Sequence, residues 1–255
     1  MTARSDRVTV VRSLADAYTM EDIAQAAQLV GESSPSWSPS SPSSPSSPSL
    51  PPVSVDAAEC VPWVVLSALY SEFPPFLIPH LKGQFQGHRL AVDVQGFLRQ
   101  RQEDGSIKHV APTGLFDHID WVDMVKLDDK ECETIVNTML VPPATPGLDS
   151  NACTLSSAYP ATLFLLSHGN GVRVYLDGRC VSSVTPWEGI TVDIECRTGR
   201  GDTITGSMCY ALSCGLDIPR ALRVAGVVVT QKLQTVGVGY QVGAEGEAQI
   251  QACVE

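Results

Sequence analysis

The apolar positions of this chain fall into short runs separated by polar turns, and the runs follow two different periods. Trp63-Val64-Val65-Leu66-Ser67 is nearly all apolar, as expected of a strand buried on both faces. Leu90-Ala91-Val92-Asp93-Val94, Trp121 to Leu127, and Ala161 to Ser167 read as further strands. Helical patterns lie between them: a short one from Phe76 to Leu81, and one opening on Asp128-Asp129-Lys130-Glu131 and running to about Asn137. Another follows Asp202, with Ile204, Met208, Ala211 and Leu212 apolar. The strongest helical stripe runs from Ile218 to Leu233 through Ala221-Leu222, Ala225 and Val228-Val229, with Asp217 as its N-cap. His168-Gly169-Asn170-Gly171 turns one strand into Val172–Tyr175, and Leu176-Asp177-Gly178-Arg179 turns that into Cys180-Val181, a hairpin pattern. Nearer the start, residues 8–12 read as a short strand and Tyr18 to Val30 as a helix.

Strands alternating with helices predict an α/β fold, a mostly parallel sheet with helices on both faces. Residues 1–32 form its first strand and helix in this reading, and residues 53–239 its core. Ser33 to Pro52 is almost only serine and proline, without apolar surface to offset ordering entropy, and reads as a disordered insertion. Residues 140–160, rich in Pro, Ser, Thr and Gly, read as a variable connection, and residues 240–255 as a polar tail.

Charge and composition narrow the function. The 255 residues carry a formal net charge of −11 and a pI of about 4.8, which argues against a broad basic surface for nucleic acid. The longest apolar run, Val61 to Tyr70, is too short to span a bilayer, and the first residues show no signal-peptide stretch. A cytoplasmic protein without membrane partners is the expectation. The eight cysteines form no Cys-x-x-Cys pair and no zinc spacing with histidine, so buried reduced thiols and no structural metal are expected.

The candidate chemistry centres on Arg197-Thr198-Gly199-Arg200-Gly201-Asp202-Thr203. Two glycines one residue apart let successive amides converge on one point, and a turn of free N–H groups opening a helix attracts anions. A carboxylate beside such a pocket is repelled by the anion unless it has work there, and accepting a proton from a hydroxyl is the natural task. The alternative is that Asp202 simply caps the helix. Arg200-Gly201-Asp202 also matches cell-adhesion tripeptides, a reading that requires a secreted, exposed loop. Asp93/Gln95, Asp128/Glu131 and Ser167/Gly169 likewise follow predicted strands, where open α/β sheets bind ligands. Four polar clusters on one rim favour chemistry over capping.

These clusters, in this order, resemble the ribokinase-like (PfkB) carbohydrate kinase family, most clearly from about Thr162 to Gly239. Thr198-Gly199-Arg200-Gly201-Asp202-Thr203 is similar to its Thr-Gly-Ala-Gly-Asp-Thr/Ser signature, with Arg200 at the usual alanine. Ser167 to Gly171 resembles its nucleotide strand-turn, Asp128 to Glu131 its Asn-x-x-Glu element, and Asp93 to Arg99 an Asp-x-Asn-x-x-Arg-like strand end. The resemblance implies a three-layer α/β/α fold lacking the family's N-terminal strands and lid. It implies Asp202 as catalytic base and Gly199, Arg200 and Gly201 as anion hole. It implies ATP contacts at Ser167, Gly169, Thr198, Ala225 and Val229, substrate contacts at Asp93, Gln95 and Arg99, and Mg²⁺ held by Asp128 and Glu131. Cys196 stands where the family usually has an Asp, a difference that bears on activation by monovalent cations.

The function expected is ATP-dependent phosphoryl transfer to a hydroxyl of a small-molecule sugar, polyol or nucleoside. The competing expectations are a catalytically inactive nucleotide-binding or interaction protein of the same fold, and a gene model begun at an internal methionine.

Overall fold

In a computed structural model, residues 61–68, 71, 73–141, 147–169, 171–185, 196, 199–234 and 242–254 are described. The expected strand at 8–12, the helix at 18–30, the Ser/Pro segment and Thr198 lie outside them.

The chain runs β1 (Trp63–Ser67), α1 (Ile78–Gln84), β2 (Arg89–Asp93), α2 (Gln95–Leu98), β3 (Arg99–Arg101) and β4 (Ile107–His109). It continues through α3 (Thr113–Phe116), β5 (Met124–Asp128), α4 (Asp129–Met139), α5 (Leu148–Ala158), β6 (Leu163–His168), β7 (Gly171–Leu176) and β8 (Arg179–Val184). Helices α6 (Arg200–Ser213), α7 (Ile218–Leu233) and α8 (Ala244–Val254) follow. One six-stranded sheet has the order β1-β2-β5-β6-β7-β8, parallel from β1 to β6 and antiparallel beyond. β3 and β4 form a separate antiparallel ribbon.

Two-residue alternation along the strands sorts the core into two layers. Leu90, Val92, Val125, Leu127, Phe164 and Leu166 pack with Ile78 and Leu81 of α1, Ile135 and Val136 of α4, and Leu155 of α5. Ala91, Met124, Leu165 and Val174 face the other way, onto Ile204 and Met208 of α6 and Ala221, Leu222, Ala225 and Val229 of α7. The predicted three-layer α/β/α architecture is therefore the observed one. The second hairpin turn has φ of 49° at Asp177 and 72° at Gly178, the left-handed pair that a two-residue turn between twisted strands requires.

Two expectations fail locally. The connection expected over 140–160 contains α5, whose small residues Ala152 and Ser156 let Leu155 sit close under the sheet. The expected polar tail contains α8, which lays Ile250, Cys253 and Val254 against the α6–α7 core. In both, a narrow apolar stripe is diluted by polar neighbours, and tertiary packing overrides composition.

Candidate active site

Sheet register brings the predicted clusters to one rim. Ser67 pairs with Asp93, Asp93 with Lys126, and Asp128 with Ser167, all at the carboxyl ends of parallel strands. Asp93 and Lys126 lie two residues beyond Ala91 and Met124, so they share the face covered by α6.

Above them the chain enters α6 through Gly199, whose φ of 78° is a left-handed conformation suited to glycine. The N-cap is Gly199, and it supplies no side-chain cap. Thr203 donates the first helical N–H, to the Gly199 carbonyl. The amides of Arg200, Gly201 and Asp202 precede it in the first turn and have no intrahelical acceptor. Asp202 is thus the third helical residue and does not cap. Its exposed carboxylate instead accepts a hydrogen bond from Ser67 Oγ at 2.9 Å, across from the end of β1.

Directly beneath the turn sits a buried ion pair, with Lys126 Nζ 2.9 Å from Asp93 Oδ2. Asp93 Oδ1 accepts from the Gln95 amide at 3.0 Å, so both its oxygens are engaged inside the protein. Burial alone would lower the Lys126 pKa, but Asp93, Glu131 and Asp128 outweigh it and hold the ammonium charged, above its ordinary value. A Cβ on Gly201 would lie 3.0 Å from Lys126 Nζ, so a side chain there would press on the lysine, and glycine lets the turn sit close over the cation. A second buried lysine stands behind the turn: Lys232 Nζ donates to the Cys196 carbonyl at 3.0 Å.

Asp128 and Glu131 form a reciprocal capping box on α4. Asp128 Oδ1 accepts from the Glu131 amide at 2.8 Å, and Glu131 Oε2 from the Asp128 amide at 2.7 Å. Burial, then the neighbouring Asp128 charge, raises the Glu131 pKa to about 7. The box engages one oxygen of each carboxylate and leaves a second. Among the described residues no group of three or more His, Cys, Asp or Glu is arranged to hold an ion. This donor set fits a magnesium ion that keeps most of its water and touches one or two carboxylates, not a dehydrated cage.

Other predicted positions divide. Ser167 is buried at the end of β6 and Gly169 exposed in the turn after it. Gln95 and Arg99 begin α2 and β3 and are partly buried. Ala225 and Val229 are enclosed in the core between α7 and the sheet. They face the strands, because the stripe that marks α7 as helical is its core face. Ser67, Lys126 and Lys232 were not among the predicted residues. The two lysines were visible as charges interrupting apolar stripes, Lys126 within Met124–Leu127 and Lys232 beside Val229 and Leu233. Ser67 carries no such mark.

No protein-family model and no curated protein matches the chain. Solved structures do. A pyrophosphate-dependent myo-inositol-1 kinase, converted into a myo-inositol-3 kinase by two substitutions, aligns at TM-score 0.66 and 23% identity, covering 96% of this chain and 70% of that one. A pyrophosphate-dependent kinase in the ribokinase family, complexed with a pyrophosphate analog and myo-inositol, aligns at 0.63 and 24%, covering 91% and 67%. Phosphofructokinase-2 from Escherichia coli, in complex with potassium, aligns at 0.58 and 16%, covering 94% and 64%. The chain has the ribokinase-like fold. Within a ribokinase-like sheet, the Gly199–Asp202 turn, the Lys126–Asp93 pair and the Asp128–Glu131 box occupy the carboxyl rim, where α/β sheets place their ligands. Among the described residues no helix is long and apolar enough to cross a membrane.

Proposed function

We propose that this protein is a phosphotransferase that moves a phosphoryl group from ATP to a hydroxyl of a sugar, polyol or nucleoside. The observation that carries the reading is Asp202: it stands in the first turn of a helix it does not cap, bonded to Ser67, over a buried cation.

The amides of Gly199, Arg200 and Gly201 receive the transferred phosphoryl, and Lys126 and the α6 dipole add positive potential behind them. Asp202 accepts the acceptor hydroxyl's proton through the oxygen that Ser67 leaves open. The resulting alkoxide oxygen bonds to the γ-phosphorus as the bond to ADP breaks, giving a phosphate monoester and ADP. Asp93, engaged on both oxygens, supports Lys126. Ser167 and Gly169 border the donor phosphates. Asp128, with Glu131 behind it, would hold hydrated Mg²⁺, which when bound neutralises charge on those phosphates.

The test is purified protein with Mg²⁺, either ATP or pyrophosphate as donor, and a panel of sugars, polyols including myo-inositol, and nucleosides. Pyrophosphate is included because two of the fold neighbours are pyrophosphate-dependent. Transfer to one acceptor is expected, with Asp202→Asn lowering kcat by about 10²–10⁴-fold at unchanged Tm. Absence of both transfer and donor binding would sink the reading.

A further inference from the structure

Lys232 is one of the largest side chains fully enclosed in the protein, 1% exposed, and it sits in the last turn of α7. The carbonyl end of a helix favours a cation there, through the partial negative charge of its last C=O groups. Its ammonium donates to the Cys196 carbonyl, three residues before Gly199. Its Cε lies 3.8 Å from where a Cβ on Gly199 would stand. One lysine therefore bonds to Cys196 through its ammonium and lies beside Gly199 with its stem. The amino end of α6 and the carboxyl end of α7 meet there with a buried positive charge between them. Packing alone does not account for this, because an apolar side chain would fill the volume without burying a charge.

We propose that Lys232 is a positioning residue for the phosphoryl donor. It acts as a built-in cation that holds Cys196 beside Gly199 at the start of α6 and so aims the first amides of α6 at the donor phosphates. The inference rests on the phosphotransferase reading and adds to it that the turn needs no separate monovalent ion to hold its shape.

Calorimetric titration with inorganic pyrophosphate and, separately, with ATP and Mg²⁺ tests it on wild type, Lys232→Gln and Lys232→Arg. Glutamine can still donate a hydrogen bond but carries no charge. Lys232→Gln is expected to weaken donor binding about tenfold or more, equivalent to about 1.4 kcal/mol. Lys232→Arg should retain most of it. In turnover the loss should fall on the donor KM and leave the acceptor KM unchanged, and ammonium ion should restore part of it in Lys232→Gln only. A folded Lys232→Gln that binds donor as wild type does overturns the proposal. The wild-type protein gives an independent arm that needs no variant. At constant ionic strength its donor affinity should be the same in sodium, potassium and tetramethylammonium chloride, and a several-fold gain with potassium overturns the built-in cation. If wild type binds neither donor, the phosphotransferase reading itself falls, and this inference with it.

Discussion

The two faces of the central sheet are built from the same strands and end differently. On the face toward α1, α4 and α5, the inward residues stay apolar along β2, β5 and β6: Leu90 and Val92, Val125 and Leu127, Phe164 and Leu166. On the face toward α6 and α7, the same strands begin apolar with Ala91, Met124 and Leu165, then finish on Asp93, Lys126 and Ser167. One face spends its whole length on stability. The other gives up its last position in each strand to polar groups, and the anion turn of α6 lies over them. The difference teaches where the chemistry is kept: not on a separate loop cluster but in the final inward-facing layer of one side of an otherwise ordinary core.

Breaking the polar layer tests this most strongly. Lys126→Met leaves Asp93 buried without its partner and is expected to destabilise the protein by about 3–5 kcal/mol, read by chemical denaturation. The double change Lys126→Met with Asp93→Leu should recover much of that stability, because both charges are gone. Phosphoryl transfer should not recover, because the cation beneath Gly201 is still missing. If the double variant regains activity, the pair is structural only. The matching change on the apolar face is Leu166→Ala, expected to cost about 2–5 kcal/mol by opening a cavity. There the folded fraction should keep wild-type kcat. Equal losses of kcat from both faces would erase the comparison.

This contrast also explains what was legible in the sequence. Strand positions, the α/β alternation and the turn before α6 were readable, because period-two alternation and paired glycines are local signals. So was the Asp217 cap, whose side chain accepts from the Arg220 amide as expected. Helices α5 and α8 were not, since their stripes are short and diluted and become stable only against the finished core. In the site, the carboxylates stood out by chemistry. Ser67 did not, because its meeting with Asp202 spans 135 residues and leaves no local pattern. Ala225 and Val229 carry a nucleotide role only through the resemblance, and packing shows that they lie on the core side of α7.

A smaller effect sharpens the border between the polar layer and the capping of α4. The Glu131 pKa, raised to about 7 from an ordinary value of 4.5, means that the folded protein holds a proton the unfolded chain has released over that interval. Its contribution to stability is present below about pH 4.5 and is lost as pH rises through about 7. The loss is at most about 3 kcal/mol, shared with Lys126, Asp93 and Asp128. Glu131→Gln keeps the capping-box geometry and cannot ionise. Urea titrations in EDTA at pH 5 and pH 8 should therefore show wild type losing stability between them and Glu131→Gln losing much less. Parallel behaviour of the two proteins would mean that Glu131 is ionised in the fold across the whole range.

The smallest expected effect is the most specific to the rim. Ser67→Ala removes one hydrogen bond to Asp202 at an exposed position where water can replace it, so the stability change should be about 0.5–1 kcal/mol. If Ser67 orients the catalytic carboxylate, kcat should still fall about three- to tenfold, since a misdirected base loses more in rate than the bond contributes to folding. Asp202→Asn provides the control. Once the base is gone, a residue acting only through it has nothing left to orient, so adding Ser67→Ala should cost nothing further in kcat. Additive losses in the double variant would mean instead that Ser67 touches the substrate itself, and that the acceptor hydroxyl is held between the end of β1 and the first turn of α6.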